Sequence, residues 1–170
     1  SPCHACCVLK LDGLYAGCLT IFGLRDRVTR KLVFFPPPRQ YVVEREEKGQ
    51  TTMYLLDDQK HKAEPYSSND FHVDLIKTAR GETIAAMFIG APGSTTTILF
   101  SHGNATDIGL MRDHLLELSA QTGCNIYAYD YSGYGMSTGK PTAGNCLADA
   151  EAAFDNLRRR YAAQSKNVIV

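Results

Sequence analysis

From Thr95 to Val170 the hydrophobic pattern changes period four times, and that alternation restricts the fold more than any other feature of the chain. "TTTILF" reads as a buried strand. "ATDIGLMRDHLLELSAQTG" places Ile108, Met111, Leu115 and Leu118 on one helical stripe, with Gly123 as the stop signal. "CNIYAYDY" is a second strand, and "AGNCLADAEAAFDNLRRRYAA" places Leu147, Ala150, Phe154, Leu157 and Tyr161 on a second stripe. "NVIV" is the next strand. Strands that alternate with crossover helices of this length form a parallel sheet with helices on both faces. Upstream, "FHVDLIKTARGETIAAMFIG" puts Phe71, Val73 and Leu75 on one strand face, turns at Ala79-Arg80-Gly81-Glu82 and resumes as an apolar strand. This antiparallel hairpin makes an otherwise mostly parallel sheet mixed. The class is α/β.

The chain has 170 residues and reads in two parts, 1–40 and 41–170. Its formal net charge is zero, and nothing global points to nucleic acid. The charge is uneven, however. Before Tyr41 stand Lys10, Arg25, Arg27, Arg30, Lys31 and Arg39 against Asp12 and Asp26, a balance that suits an anionic membrane surface. The uncharged run Gly13–Leu24 is twelve residues long, whereas a membrane-spanning helix needs about 20. It suits the membrane interface or packing on the folded domain. "FFPPPRQ" then acts as a stiff spacer, because Pro36, Pro37 and Pro38 lack amide donors and disfavour helix before them.

Four of six cysteines come early: Cys3, Cys6, Cys7 and Cys18. No secretory signal with a cleavage site accompanies them, so a disulfide framework is not expected. Zinc through Cys3, His4, Cys6 and Cys7 lacks a second ligand pair at finger-like spacing. Thiols clustered beside an apolar run read instead as S-acylation sites. Cys124 and Cys146 fall in expected core elements and read as small hydrophobes.

In open α/β sheets ligands bind outside the carboxyl ends of the strands. Two segments fall there, Ser101–Ala105 and "YDYSGYGMSTGKP". In the first, Gly103 allows a tight turn and the amides of Asn104 and Ala105 open the helix, where free N–H groups receive an oxyanion. Acyl hydrolases of the α/β class place one oxyanion-hole donor here. The alternative is that Asn104 merely caps the helix. His102 lies on the wrong loop for a general base of this class and reads as structural. The second segment spells G-x-S-x-G at Gly135–Gly139, the pattern of a nucleophile elbow. An elbow needs its strand to run straight into Gly-x-Ser. Here Ser132-Gly133-Tyr134 intervene, and Pro141 follows closely, so Ser137 reads as a locally hydrogen-bonded loop serine.

"ILFSHGNATDIG", "CNIYAYDYSGYGMSTGKPT" and "RRRYAAQSKNVIV" together resemble the N-terminal half of the α/β-hydrolase domain-containing protein 17 family. "RKLVFFPPPRQYVV" resembles that family's link between membrane anchor and catalytic domain. The resemblance implies a membrane-attached serine hydrolase that removes palmitate from S-acylated proteins. It further implies acylation at Cys3, Cys6 and Cys7, and an oxyanion loop at His102, Gly103, Asn104 and Ala105. Asp130, Gly133 and Gly135 match the family's loop after the second buried strand and take a structural role. The strand at Val168–Val170 would lead into the elbow. The chain opens on Ser1 and stops in an apolar run, and it therefore reads as a partial α/β-hydrolase fold truncated before its nucleophile. A terminal edge strand is the alternative.

The expected activity is thioester or ester hydrolysis on S-acylated proteins or lipid esters, without cofactor or metal, at the cytoplasmic face of a membrane. The protein would be held there by acylated cysteines and basic residues. Taken alone, the 170 residues are expected to be inactive. A peptidase or esterase of the same superfamily, or a non-catalytic tethered module, are the alternatives.

Overall fold

A computed structural model describes residues 31–46, 51–63, 65, 70–161 and 167–170. The chain divides into two compact units, Ser1–Phe35 and Pro36–Val170, and every element below belongs to the second. The proposed acylation sites Cys3, Cys6 and Cys7, the run Gly13–Leu24, and Arg25, Arg27 and Arg30 lie outside the described residues.

Strands β1 (Tyr41–Arg45) and β2 (Thr51–Leu55) pair antiparallel as a separate two-stranded sheet. The hairpin β3 (Phe71–Lys77) and β4 (Thr83–Ile89) follows, in register from Phe71 opposite Ile89 to Lys77 opposite Thr83. Gly81 closes its turn with φ at 85°, a conformation that costs a glycine little. Then come β5 (Thr97–Ser101), helix α1 (Ile108–Thr122), β6 (Asn125–Tyr129), helix α2 (Ala143–Arg160) and β7 (Val168–Ile169). The five-stranded sheet has the order β3-β4-β6-β5-β7. β4 pairs antiparallel with β3 and β6, while β5 pairs parallel with β6 and β7. The sheet is mixed, as the hairpin implies.

Strict alternation along β4 and β6 feeds a core on each face of the sheet. Ala85, Met87, Ile126 and Ala128 pack with Ile108 and Leu115 of α1 and with Tyr41 and Met53 of the small sheet. Ile84, Ala86, Tyr127 and Tyr129 pack with Ala153 and Leu157 of α2. Each fully buried large aliphatic side chain stabilises the fold by about 1.5–3 kcal/mol.

Three expectations need correction. Leu75 shares a strand face with Phe71 and Val73 but is 49% exposed, whereas Asp74 beside it is buried. Asp74 is drawn inward because its Oδ2 accepts from Tyr127 and Tyr161 hydroxyls and from Asn156 Nδ2, while Oδ1 pairs with Arg160. Leu147 is 64% exposed, so the buried stripe of α2 is rotated from the one expected: it runs through Asn145, Ala148, Asp149, Ala153 and Leu157. Two of those positions are polar and hidden from a hydrophobic pattern. Asp149 takes both the amide and the hydroxyl of Ser132, at 2.7 and 2.8 Å. Cys124 and Cys146 are free thiols of intermediate burial rather than core residues.

Candidate active site

Because β5 and β6 run parallel, they end on the same side of the sheet, and the loops 102–107 and 130–142 leave from there. Ser101 Oγ and the Tyr129 hydroxyl, 2.8 Å apart, join the two strand ends. A cavity of about 270 Å³ lies at the opposite end of the sheet. Its walls include Phe71, Ile89, Pro92, Leu116 and Gly123, the last at the carboxyl end of α1, and it is remote from both loops.

The first loop follows β5 directly. His102 is buried, and its imidazole donates from Nδ1 to the carbonyl of Gly103 at 2.8 Å. Its Nε2 stands 3.2 Å from Asp130 Oδ1, close enough for an ionic contact when the ring carries both protons but off the line of a hydrogen bond. The ring also meets Tyr131 edge-on at 4.8 Å. A side chain enclosed in this way orients a loop; it does not shuttle protons to a substrate. Gly103, Asn104 and Ala105 follow on the surface. Ala105 has φ at 59°, in the left-handed region that non-glycine residues seldom enter. Its amide donates to its neighbour's Asn104 Oδ1 at 3.0 Å, and the same oxygen accepts from the Tyr134 hydroxyl at 2.8 Å.

This geometry revises the expectation that the amides after Gly103 open the helix. α1 starts at Ile108, and its cap is Asp107, not Asn104. Asp107 Oδ1 accepts from the Leu110 amide at 2.9 Å, and the Ile108 amide donates to Asp130 Oδ1, also at 2.9 Å. Those helical amides are committed to carboxylates. The Ala105 amide, on the exposed part of the loop, is in turn covered by the Asn104 carboxamide. The signal for the true cap was in the sequence: Asp107 directly precedes the first residue of the apolar stripe.

The second loop is held from beneath. Asp130 is fully buried, and besides the Ile108 amide it accepts the Tyr41 hydroxyl on Oδ2. Burial and the neighbouring Asp130 carboxylate push the Tyr41 phenol well above its ordinary value, so it remains a donor. Burial likewise raises Asp107, opposed by the amides of Leu110 and Gln40. Ser137 lies inside the same loop, nine-tenths buried. Its hydroxyl accepts the Ala85 amide at 3.0 Å and donates to the Asp130 carbonyl at 2.9 Å. The turn of Tyr131–Tyr134 precedes it, and Thr138, whose amide bonds to Thr83 O, follows it. The strand-to-helix corner that an elbow requires is absent at this position. Tyr41, Asp107 and Tyr134 belong to the site although sequence reasoning did not select them; for Tyr41 no local pattern could, since its partner lies 89 positions away.

Known proteins share parts of this sequence and this fold. Human alpha/beta hydrolase domain-containing protein 17B is 39% identical over 146 residues, which are 85% of this chain and 51% of that protein. The 17C protein of Xenopus laevis is 37% identical over 163 residues, at 85% and 52% coverage. The chain is homologous to the alpha/beta hydrolase domain-containing protein 17 family. It spans about half the length of these relatives. No protein-family model matches it. Among solved structures, a Pyrococcus furiosus esterase aligns with a TM-score of 0.51 at 19% identity, over 80% of this chain and 45% of that one. An alpha-beta hydrolase from Vibrio vulnificus gives 0.51 at 18% identity, over 59% and 34%. At such identities the likeness establishes the fold, a partial α/β hydrolase.

Proposed function

We propose that this chain forms the oxyanion side of a serine hydrolase that cleaves fatty-acyl thioesters, S-acylated proteins being its substrates, at a membrane surface. The observation that carries the proposal is the exposed, strained turn at Asn104-Ala105. It lies at the carboxyl end of β5, in a chain homologous to the 17B and 17C hydrolases. In the reaction a serine oxygen attacks the acyl carbon, the carbonyl oxygen gains negative charge, and the carbon–sulfur bond then breaks. The departing thiolate takes a proton, and water releases the acid from the ester. The Ala105 amide, and the loop that holds it, face the charge of that intermediate.

The nucleophile is not Ser137, because both directions of its hydroxyl bonding are used in the core. Nucleophile, acid and base lie outside the 170 residues, within the length of the relatives that these residues do not span. Acylated Cys3, Cys6 and Cys7 attach the protein to the membrane as a peripheral enzyme. Among the described residues no helix is long and apolar enough to cross a membrane.

The test uses the full native polypeptide that carries this chain and a peptide palmitoylated on cysteine. Release of palmitate that a fluorophosphonate blocks is expected. An inert thioester beside efficient cleavage of simple esters or peptides would move the reading to a general esterase or peptidase, and inertness toward all three would leave a non-catalytic module. For the anchor, hydroxylamine-sensitive acylation should vanish when Cys3, Cys6 and Cys7 become Ser. Membrane association that survives this change would contradict it.

A further inference from the structure

Three successive residues, Arg39, Gln40 and Tyr41, bind the two loops at the carboxyl ends of β5 and β6. Arg39 Nε donates to the Gly135 carbonyl at 3.3 Å, and the Gln40 amide donates to Asp107 Oδ2 at 3.2 Å. The Tyr41 hydroxyl donates to Asp130 and accepts the Met136 amide at 3.2 Å. The ring of Tyr41 has no exposed surface. It stands in a slot between two glycines, one in the first turn of α1 and one in the second loop. A Cβ on Gly109 would come within 2.6 Å of its Cδ1, and one on Gly135 within 2.7 Å of its Cε1. Side chains at either place would close the slot.

We propose that Tyr41 is a positioning residue for the oxyanion loop, and that the Arg39–Tyr41 segment is a strap built into the site. This rests on the reading of loop 102–105 as the oxyanion side. The strap enters from the small β1-β2 sheet, outside the five-stranded hydrolase sheet, and follows directly on Pro36, Pro37 and Pro38, whose fixed φ stiffens its approach. Asp130 transmits its hold. One carboxylate takes the Tyr41 hydroxyl on one oxygen and the Ile108 amide on the other, and that second oxygen faces His102, which in turn grips Gly103. Fixing Tyr41 thereby fixes both the entry and the exit of the loop that presents the Ala105 amide. A displacement of such a donor by about 1 Å costs on the order of a hundredfold in rate.

The test uses Tyr41→Phe in the full native polypeptide, since phenylalanine keeps the ring in its slot and removes the hydroxyl. Hydrogen exchange is measured first. Amides of 103–108 and 134–138 should exchange faster in the variant, while those of β3 keep their protection. Unchanged exchange in both loops overturns the proposal whether or not the protein is active. In the kinetic arm, kcat and the rate of fluorophosphonate labelling should fall together by roughly 10- to 100-fold with KM within about twofold, in line with a misplaced oxyanion donor. Incorporating p-aminophenylalanine at position 41 restores a donor and should recover most of the loss. Faster loop exchange with wild-type kcat overturns the positioning role. An inactive, unlabelled wild type refutes the hydrolase reading instead. Should Tyr41→Phe fold poorly, Arg39→Gln removes the surface end of the strap and should quicken exchange of 134–138; no change there also contradicts the strap.

Discussion

The hydroxyl of Ser137 receives the Ala85 amide at 3.0 Å, so a loop serine completes the hydrogen bonding of a central strand. The amide in question sits in β4 at a residue with no exposed surface, where a lost partner is not replaced by water. A serine spent in this way is a structural pin. Ser137→Ala should cost about 1–3 kcal/mol of stability, the usual penalty for orphaning a buried donor. Chemical denaturation of variant and parent measures it. A loss of hydrolytic activity without a loss of stability is the contrary outcome.

The Asn104 carboxamide covers the amide that the proposed chemistry needs. Asn104→Ala removes the cover together with the Tyr134 contact; freeing the amide from a bond worth about 0.5–1.5 kcal/mol should quicken fluorophosphonate labelling of the native enzyme by roughly two- to tenfold. Slower labelling would show instead that the carboxamide itself contacts substrate.

Gly135 carries a positive φ of 47°, and a Cβ there would fall 1.9 Å from Asp130 Oδ2. Gly81, with φ at 85°, has nothing within 4 Å of the same position. Both alanine variants incur left-handed strain of about 1–2 kcal/mol. Only Gly135→Ala adds an overpacking cost, about 1–3 kcal/mol more. Equal denaturation midpoints for the two variants would contradict the close fit of the second loop around Tyr41 and Asp130.

Burial raises the Asp149 carboxyl above its ordinary value of 3.8, against the pull of the Ser132 amide and hydroxyl. The folded state therefore binds this proton more tightly than the unfolded chain. Its contribution to stability is complete below 3.8 and is lost as pH rises through the folded value. Asp149→Asn keeps a bond to Ser132, whose hydroxyl can reverse its role, and removes the titration. Relative to that variant, the parent should lose stability as pH climbs out of the acid range. A difference that is flat in pH, or that grows with it, contradicts the assignment.

Much of this was legible in the sequence because apolar spacing reports burial. Ile108 and Leu115 on α1, the turn at Gly81 and the apolar runs of β4 and β6 are all visible as patterns. The rest was hidden where burial is polar. Asp74, Asn145 and Asp149 look like solvent positions until Tyr127, Arg80 and Ser132 are brought to them. The loop after β5 was singled out from its place behind a buried strand, yet Asp107 rather than Asn104, the cap weighed there, opens α1, both residues being good caps. The pairing of Tyr41 with Asp130 is purely tertiary, and no local period announces it.

The most direct measurement is to label the full native polypeptide with a fluorophosphonate, digest it and map the modified residue. The label is predicted on a serine outside residues 1–170, with Ser137→Ala still labelled wherever it remains folded. A phosphonylated Ser137, lost in that variant, would contradict the account at its centre.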